Sequence, residues 1–407
     1  MNILFLTMSI MRDVEQKGIY TDLMRKFRDE GHQVYVVTPC ERRERQNTAR
    51  FESAGVNILR VKTLNVQKTN VIEKGIGQVS LEMLYQRAID KYYKGIAFDL
   101  ILYSTPPITF PNVIAKMKKR NPKAMSYLML KDIFPQNAID LGMLTKTGIK
   151  GFLYRSFRKK EKTIYALSDF IGCMSPANVK YVIKHNPEVD PKIVEICPNS
   201  YEIPDETNKK LKDSTNHNAI RTKYNLPLDK PIFIYGGNMG KPQGIPFLIK
   251  CLDANKNRED CHFLIVGNGF DYPKLEEWYK ENKPTAVSLF QSLPKEDYDQ
   301  LADACDVGLI FLDHRFTIPN YPSRLLPYLM SRKPIIACTD PNCDTGQLAV
   351  ENGYGMYCES NNVGAFTCIV NEMLRSDLKE MGDNAYKFYL NNYTVQHTYD
   401  AIMKHLN

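Results

Sequence analysis

The sequence predicts an α/β protein of two domains, each with a mostly parallel sheet covered by helices. Three observations lead to this prediction. The chain has 407 residues, more than one ordinary hydrophobic core accommodates. Short apolar runs typical of buried strands alternate with helical patterns along both halves of the chain. A polar stretch with few strand patterns, residues 201–230, separates the halves and is expected to hold a linker and a short helix.

The first domain is predicted over residues 1–198. Its strand-like runs are residues 2–8, 33–39, 99–105, 125–130 and 169–175, with helical patterns between them, as in residues 20–30. Because such strands are apolar throughout, the sheet is expected to be covered on both faces in a Rossmann-like arrangement.

The second Rossmann-like domain is predicted over residues 199–385, and a helix at about 386–407 is expected to pack back on the first domain. The strand-like runs are residues 231–238, 261–269, 287–293, 306–312 and 333–338, with a helical pattern at 298–305. In open α/β sheets, ligands bind beyond the carboxyl ends of the strands. Two such domains facing each other predict a cleft for two substrates.

Composition excludes several classes of protein. With 43% hydrophobic and 25% charged residues, the chain is not disordered. No apolar run reaches the ~18–20 residues that span a bilayer, and the start, MNILFLTMSIMRD, reads as a core strand rather than a signal peptide. The ten cysteines show neither metal-binding spacing nor a disulfide framework. A reduced, cytoplasmic protein without a bound metal is therefore expected.

Charge is distributed unevenly. Residues 1–200 carry 32 basic and 19 acidic side chains, a net +13, whereas the remainder carries 22 and 27, a net −5. A basic half predicts contact with a polyanion or an anionic membrane, with a merely solvated surface as the alternative. Nucleic acid is the weaker partner because no nucleic-acid-binding module is recognisable.

The segment 148–168 is the strongest basic helix pattern. Arg155, Arg158, Lys159 and Lys162 recur at helical spacing, and Leu153, Phe157 and Ile164 fall on another face. This pattern predicts either a peripheral membrane contact or a core-packed helix with a solvated basic face.

Two glycine-rich turns follow strands in the second half. In YGGNMGKPQG (235–244), glycines permit close approach to an anion, and Lys241 adds a cation; a tight structural turn is the alternative. In VGNG (266–269), Gly267 and Gly269 lack the third glycine of a dinucleotide fingerprint, because that position is Tyr272. Asp297 and Asp299 form a D-x-D pattern, but we interpret them as acids in the first turn of a helix rather than as Mg²⁺ ligands.

Four segments in order, 235–244, 263–269, 303–312 and 321–337, resemble the family 4-like glycosyltransferases of the GT-B fold. KDIFPQNAIDLGML (131–144) resembles a bacterial subgroup similar to the N-acetyl-L-fucosamine transferases of O-antigen and capsule synthesis. CPNSYEI (197–203) resembles that family's interdomain segment. The resemblance covers nearly the whole chain and implies two Rossmann-like domains that face each other.

The resemblance implies that the second domain binds a UDP-sugar without a metal or other cofactor. Lys241 and Arg324 match cationic positions and would act in catalysis by neutralising the departing diphosphate. The other expected donor-binding residues are Gly236, Gly237, Asn238, Gly267, Gly269, Leu293, Ser323 and Leu325.

The family usually carries two glutamates, eight residues apart, that bind the donor. Here those positions are Pro319 and Pro327. Ser323 is a candidate cap for the helix that contains Pro327. Either Asp340, Asp344 or Glu351 supplies the missing carboxylate, or donor binding or activity is altered.

The first domain is expected to bind the acceptor. Gly18, Thr105 and Asp132 lie in or next to loops that follow predicted strands. Asp132 could orient or deprotonate an acceptor hydroxyl, with a local turn partner as the alternative.

The leading hypothesis is a retaining glycosyltransferase that moves a sugar, N-acetylated by resemblance, from a UDP-sugar to a lipid-diphosphate-linked glycan in capsule or O-antigen synthesis. Such an enzyme is expected in the cytoplasm or peripherally on the cytoplasmic face of the inner membrane. The alternatives are a UDP-sugar epimerase-like enzyme on the same fold and a non-catalytic nucleotide-sugar-binding protein.

Overall fold

The computed structural model describes residues 1–65, 71–106, 108–203 and 214–406, with backbone alone for 71–76, 78, 79 and 214–216. The chain forms two compact units, residues 1–202 together with 393–407, and residues 203–392. We refer to them as the N-terminal and C-terminal units. Their assignment to acceptor and donor binding stays a prediction.

Fourteen strands and fifteen α-helices are found in the described residues. The strands are β1 (Asn2–Leu6), β2 (Gln33–Glu41), β3 (Ala49–Ser53), β4 (Val56–Thr63), β5 (Leu100–Thr105), β6 (Met125–Leu130), β7 (Phe170–Cys173), β8 (Val194–Ile196), β9 (Ile232–Asn238), β10 (His262–Asn268), β11 (Val287–Phe290), β12 (Val307–Phe311), β13 (Ile335–Thr339) and β14 (Gly355–Glu359). The helices are α1 (Ile19–Asp29), α2 (Val71–Tyr92), α3 (Pro111–Arg120), α4 (Gln136–Asp140), α5 (Gly148–Leu167), α6 (Pro176–His185), α7 (Ser214–Lys223), α8 (Ile245–Ala254), α9 (Tyr272–Asn282), α10 (Lys295–Ala304), α11 (Leu325–Met330), α12 (Thr345–Glu351), α13 (Val363–Met373), α14 (Leu378–Asn392) and α15 (Val395–Met403).

The N-terminal sheet has the strand order β3-β4-β2-β1-β5-β6-β7-β8 and is parallel except for the β3–β4 pair. Its central strands β5 and β6 are buried along their whole length, as the apolar runs predict. The hairpin β3–β4 was not predicted, because β3 is a largely exposed edge strand with polar residues. Its tight turn, Ala54-Gly55, has positive φ at both residues, as two-residue hairpins of type I′ require.

The C-terminal sheet has the order β11-β10-β9-β12-β13-β14, and every pair is parallel. All five strands predicted for this half are present. The sixth, β14, pairs with β13 at the edge of the sheet, where its mixed sequence GMYCE gave no apolar run.

The strand orders define one crevice in each sheet. In the C-terminal unit the chain continues from β9 to β10 on one side and from β12 to β13 on the other. In the N-terminal unit it continues from β1 to β2 on one side and from β5 to β6 on the other. Such reversals open a crevice at the carboxyl ends of the two central strands, where ligands bind in folds of this kind.

The last helix, α15, packs on α1 within the N-terminal unit. The ring centroids of Phe27 and Tyr399 lie 5.4 Å apart in this contact. None of the helices in the described residues is both long enough and apolar enough to cross a lipid bilayer.

Candidate functional site

The carboxyl end of β9 brings together most residues predicted to bind a donor. Gly236, Gly237 and Asn238 end the strand, and the turn that follows leads into α8. Gly267 lies opposite Gly237 in the parallel pair β9–β10. The two glycine-rich turns, which are separate in the sequence, therefore lie together at the carboxyl ends of the strands, beside the crevice between β9 and β12.

Arg324 lies against this strand end. Its guanidinium stacks over the ring of Tyr235 with 4.3 Å between the guanidinium carbon and the ring centroid. Its Nη2 donates to the carbonyl oxygen of Asn238 at 3.3 Å. Its Nη1 is buried and has no hydrogen-bond partner among the described residues. A buried cationic donor without an acceptor is unfavourable, so this geometry favours an anionic ligand at Nη1.

The glycines at the site are required by contacts inside the protein. A Cβ at Gly236 would lie 1.9 Å from the hydroxyl of Tyr298, and a Cβ at Gly267 would lie 1.9 Å from the carbonyl oxygen of Gly237. Gly269 has φ +158°, and its Cβ would lie 2.6 Å from the backbone of Met239. The structure therefore contains the tight turn that the sequence offered as the alternative to an anion site. The turn is present whether or not it also binds an anion.

Most backbone donors of the glycine-rich turn are already used. The N–H of Met239 donates to the carbonyl of Asn268, and the N–H of Gly240 donates to the Gln243 side chain. The N–H of Gly244 donates to Lys241 within the turn. An anion at this position would therefore be bound mainly by side-chain cations, with less help from these backbone groups than the sequence suggested.

Lys241 and Phe270 lie together beside the turn. The Nζ of Lys241, an exposed residue, lies 5.7 Å from the centroid of the Phe270 ring. Phe270 is 73% exposed, although it directly follows Gly269 at a strand end. Phe270 was not among the residues predicted from the sequence to bind a donor. An exposed aromatic ring in a site-forming loop is the signal that could have identified it, because such rings offer a stacking face.

The remaining predicted donor residues differ in accessibility. Ser323 is exposed, but Arg324 occupies the N-cap position of α11 and no side chain makes a capping hydrogen bond there, so the prediction that Ser323 caps this helix is wrong. Leu325 is fully buried, and its N–H donates to Pro322. Leu293 is half-buried in the segment before α10. Their contact with a donor stays a prediction.

Pro327 is the third residue of α11 and therefore lies in its first turn. A proline there removes an N–H that has no intrahelical partner, which explains why the helix tolerates it. No carboxylate stands at this position or at Pro319, so a donor hydroxyl needs another acceptor.

Asp340 is the best placed of the three candidate replacements. It directly follows β13 and is fully buried; its Oδ1 accepts from the N–H groups of Asn342 and Cys343 at 2.9 and 3.1 Å. Its Oδ2 is buried without a partner among the described residues. Burial raises the pKa of Asp340 to about 6.

The segment that begins with Asp340 is tied to the loop that contains Pro319. The Nδ2 of Asn342 donates to the carbonyl of Phe316 at 2.8 Å, and the Sγ of Cys343 donates to the carbonyl of Asn320 at 3.0 Å. By contrast, Glu351 is exposed at the far end of α12 and accepts from Gln347. Asp344, the N-cap of α12, lies closer to the strand ends.

Asp297 is a structural acid, as the sequence analysis proposed. It lies in the first turn of α10, and its carboxylate pairs with Lys223 at 2.7 Å and accepts from the hydroxyl of Tyr224. Asp299 is exposed. Across the described part of the chain, no group of three or more His, Cys, Asp or Glu side chains could hold a metal ion.

The three predicted acceptor residues lie at the crevice edge of the N-terminal sheet. Gly18 ends the loop between β1 and α1. Thr105 is the last residue of β5; its Oγ1 accepts from the N–H of Lys131 at 3.1 Å and donates to the carbonyl of Asp132 at 3.3 Å. The structure thus joins Thr105 and Asp132 directly, and β1 next to β5 places Gly18 at the same edge.

Asp132 has a perturbed carboxylate. Asn137 donates to both of its oxygens, at 2.9 and 3.0 Å, and burial raises its pKa to about 6. Its neighbour Lys131 donates to the carbonyl of Cys197 at 3.0 Å, and burial lowers the pKa of this amine to about 8. Perturbed pKa values of this kind are enriched at functional sites. Asp132 was predicted from the sequence as a site residue, whereas Lys131 was not.

Part of the basic stripe predicted for helix α5 is paired with acidic residues within the protein. Arg158 pairs with Glu161 at 2.6 Å, and Lys162 pairs with Glu188 at 3.0 Å. Phe157 packs on Phe134, with ring centroids 5.1 Å apart. Phe157 is half-buried, and Ile164 is fully buried. Parts of the C-terminal half of the helix are therefore packed against the N-terminal unit, and two of its basic residues are ion-paired.

Comparison with known proteins finds a family match within the C-terminal unit. Residues 216–388 match the family model described as "Glycosyl transferases group 1". The chain is 24% identical over 329 residues to the "Probable glycosyltransferase WbjE" of Pseudomonas aeruginosa, a match that covers 77% of this chain and 75% of the relative.

Solved structures share the whole fold. A sucrose-phosphate synthase from Thermosynechococcus elongatus has a TM-score of 0.72 at 14% identity, covering 100% of this chain and 99% of that one. Anabaena HepE in complex with UDP and glucose has a TM-score of 0.67 at 14% identity, with the same coverage. WaaG, a glycosyltransferase involved in lipopolysaccharide biosynthesis, has a TM-score of 0.64 at 12% identity and covers 98% of each chain. These likenesses confirm the predicted fold class.

Proposed function

We propose that this chain, whose residues 216–388 match the group 1 glycosyltransferase model, transfers a sugar from a UDP-sugar to a lipid-diphosphate-linked glycan in polysaccharide synthesis. The resemblance of residues 131–144 supports an N-acetylated sugar and retention of anomeric configuration. The complex of Anabaena HepE with UDP and glucose supports a UDP-sugar donor. The glycosyltransferase WaaG, involved in lipopolysaccharide biosynthesis, supports the polysaccharide context.

One observation carries the donor side of the proposal, the unpartnered Nη1 of Arg324 at the carboxyl end of β9. The guanidinium is held against Tyr235 and Asn238, so its orientation is fixed before a ligand arrives. Breaking the bond between sugar and diphosphate builds negative charge on the departing group. A preoriented cation stabilises that charge with little reorganisation. Lys241 adds a second, mobile cation.

Asp340 replaces the absent glutamates in this proposal. Its free Oδ2 can accept a donor hydroxyl once the segment after β13 adjusts, and the ionised form is accessible near neutral pH because its pKa is about 6. A hydrogen bond to an ionised carboxylate contributes roughly 1.5–3 kcal/mol. The exposed ring of Phe270 offers a stacking face to the nucleobase.

Asp132 is the proposed general base or orienting group for the acceptor hydroxyl. A pKa of about 6 allows a carboxylate to be ionised at neutral pH and still accept a proton in the transition state. Thr105 fixes the backbone next to it through the carbonyl of Asp132.

The proposal is tested by incubating the protein with individual UDP-sugars and a synthetic polyprenyl-diphosphate-linked sugar, without and with Mg²⁺. We expect a glycosylated lipid and stoichiometric UDP, independent of the metal. Epimerised UDP-sugar formed without an acceptor would favour the epimerase-like alternative. UDP binding without turnover for every donor and acceptor pair would favour a non-catalytic binding protein, the reading that Pro319 and Pro327 motivate.

A further inference from the structure

The N-terminal end of α5 exposes an unusual group of apolar side chains. Ile149 is 88% exposed, Phe152 68% and Leu153 44%, and Met143 in the preceding loop is 45% exposed. Positions 149, 152 and 153 have i, i+3, i+4 spacing and therefore share one face of the helix. In the rest of the described chain, no segment of this length exposes more than two large apolar side chains.

The same region is strongly basic. Between Asp140 and Glu161 the sequence contains six basic residues and no acidic one. Lys146, Lys150 and Lys159 are exposed, and none of them forms an ion pair with an acid among the described residues. Their charges are therefore available to an external partner. This pattern differs from Arg158 and Lys162 further along α5, which are paired within the protein.

We propose that the N-terminal end of α5 docks on an anionic lipid bilayer. Ile149 and Phe152 would enter the boundary between headgroups and acyl chains, while Lys146, Lys150 and Lys159 would contact anionic headgroups. A protein partner would need both an apolar pocket and clustered acids, whereas an anionic bilayer supplies an apolar layer beneath a negative surface everywhere. The charge complementarity of this patch therefore favours lipid.

This inference deepens the proposed function, since an enzyme acting on a lipid-diphosphate-linked acceptor must reach a bilayer. It nevertheless has a separate test, because vesicle binding requires neither donor nor turnover. The two proposals can therefore fail independently.

The experiment measures co-sedimentation of the full chain with vesicles of phosphatidylcholine that contain phosphatidylglycerol, and with vesicles of phosphatidylcholine alone. The I149S/F152S variant is expected to lose at least about tenfold in affinity for the anionic vesicles, because less apolar surface leaves water. The K150Q/K159Q variant is expected to lose about fivefold per charge, and only with anionic vesicles. The matched control is L228S/V350S, two apolar side chains that are 51% and 55% exposed in the C-terminal unit.

Thermal unfolding monitored by circular dichroism verifies that each variant is folded. Wild-type affinity in I149S/F152S, or an equal loss in L228S/V350S, would overturn the proposal. Absence of vesicle binding by the wild type would overturn it as well. If the lipid-free wild type self-associates in sedimentation velocity and I149S/F152S does not, the patch belongs to a second copy of the chain and the lipid assignment is wrong.

Discussion

Substituting Arg324 provides the sharpest test of the donor site. In R324Q the charge and the buried Nη1 donor are removed, while a shorter, uncharged polar side chain remains. A charge-assisted hydrogen bond contributes roughly 1.5–3 kcal/mol, and a unit charge pair at about 4 Å near a protein surface contributes up to about 4 kcal/mol before desolvation. We therefore expect a net loss of about 3 kcal/mol, which weakens UDP binding by about 150-fold.

The free protein should behave differently from the complex. Without ligand, R324Q loses the stacking of the guanidinium on Tyr235 but also relieves a buried donor that has no acceptor. These effects oppose each other, so the unfolding free energy of the free protein should change by less than about 1 kcal/mol. R324K keeps the charge without the planar fork and should lose about tenfold in affinity.

The assay combines isothermal titration with UDP and thermal unfolding with and without UDP. At a UDP concentration of about 100 times the wild-type Kd, the ligand stabilises the wild type by about 2.7 kcal/mol. After a 150-fold loss of affinity the same concentration stabilises R324Q by only about 0.3 kcal/mol.

Arg332 offers a matched control, because its guanidinium also stacks on a tyrosine, Tyr386, at 4.1 Å, and pairs with Asp383 at 2.6 Å. R332Q should retain wild-type affinity for UDP. The reasoning would be refuted if R324Q bound UDP within threefold of the wild type, or if R332Q lost as much.

Three further predictions concern packing and protonation. G267A should destabilise the C-terminal unit by at least about 2 kcal/mol in calorimetry, because its Cβ meets a backbone oxygen, whereas G364A, whose Cβ makes only an ordinary 3.6 Å contact with Oδ1 of Asn362, should not; equal stabilities would contradict the packing argument. Asp132 ionises near pH 3.8 when unfolded and near 6 when folded, so its contribution to stability falls by up to about 3 kcal/mol as pH rises between these values. The D132N variant should remove this contribution. Urea titrations at pH 4 and 7 measure it, and the same pH dependence of stability in D132N and in the wild type would show that Asp132 makes no such contribution. If the ionised Asp340 accepts a donor hydroxyl, the affinity for a UDP-sugar should rise about tenfold from pH 5 to 7, a range in which the diphosphate of a UDP-sugar does not titrate. The D340N variant should abolish this rise. A wild-type affinity that does not change with pH would remove Asp340 from the site.

The sequence by itself determined the two-sheet α/β fold. Strands such as β5, β6 and β9 are apolar enough to be read as buried, and the glycines after β9 and β10 mark turns that a side chain would block. Pro327 was also interpretable, because a proline is tolerated in the first turn of a helix. These features are local, so the residues that cause them are neighbours in the sequence.

Only the tertiary structure decided which donors and acceptors lack partners. Arg324 Nη1 and Asp340 Oδ2 are distinguished by what surrounds them, and those surroundings come from strands and loops far apart in the chain. The same reason explains the end of α5. Helical spacing predicted an apolar face at Leu153, Phe157 and Ile164, but packing buries Ile164, covers Phe157 in part, and leaves Ile149 and Phe152 exposed. Periodicity fixes which side chains share a face, whereas burial depends on what the rest of the chain places against it.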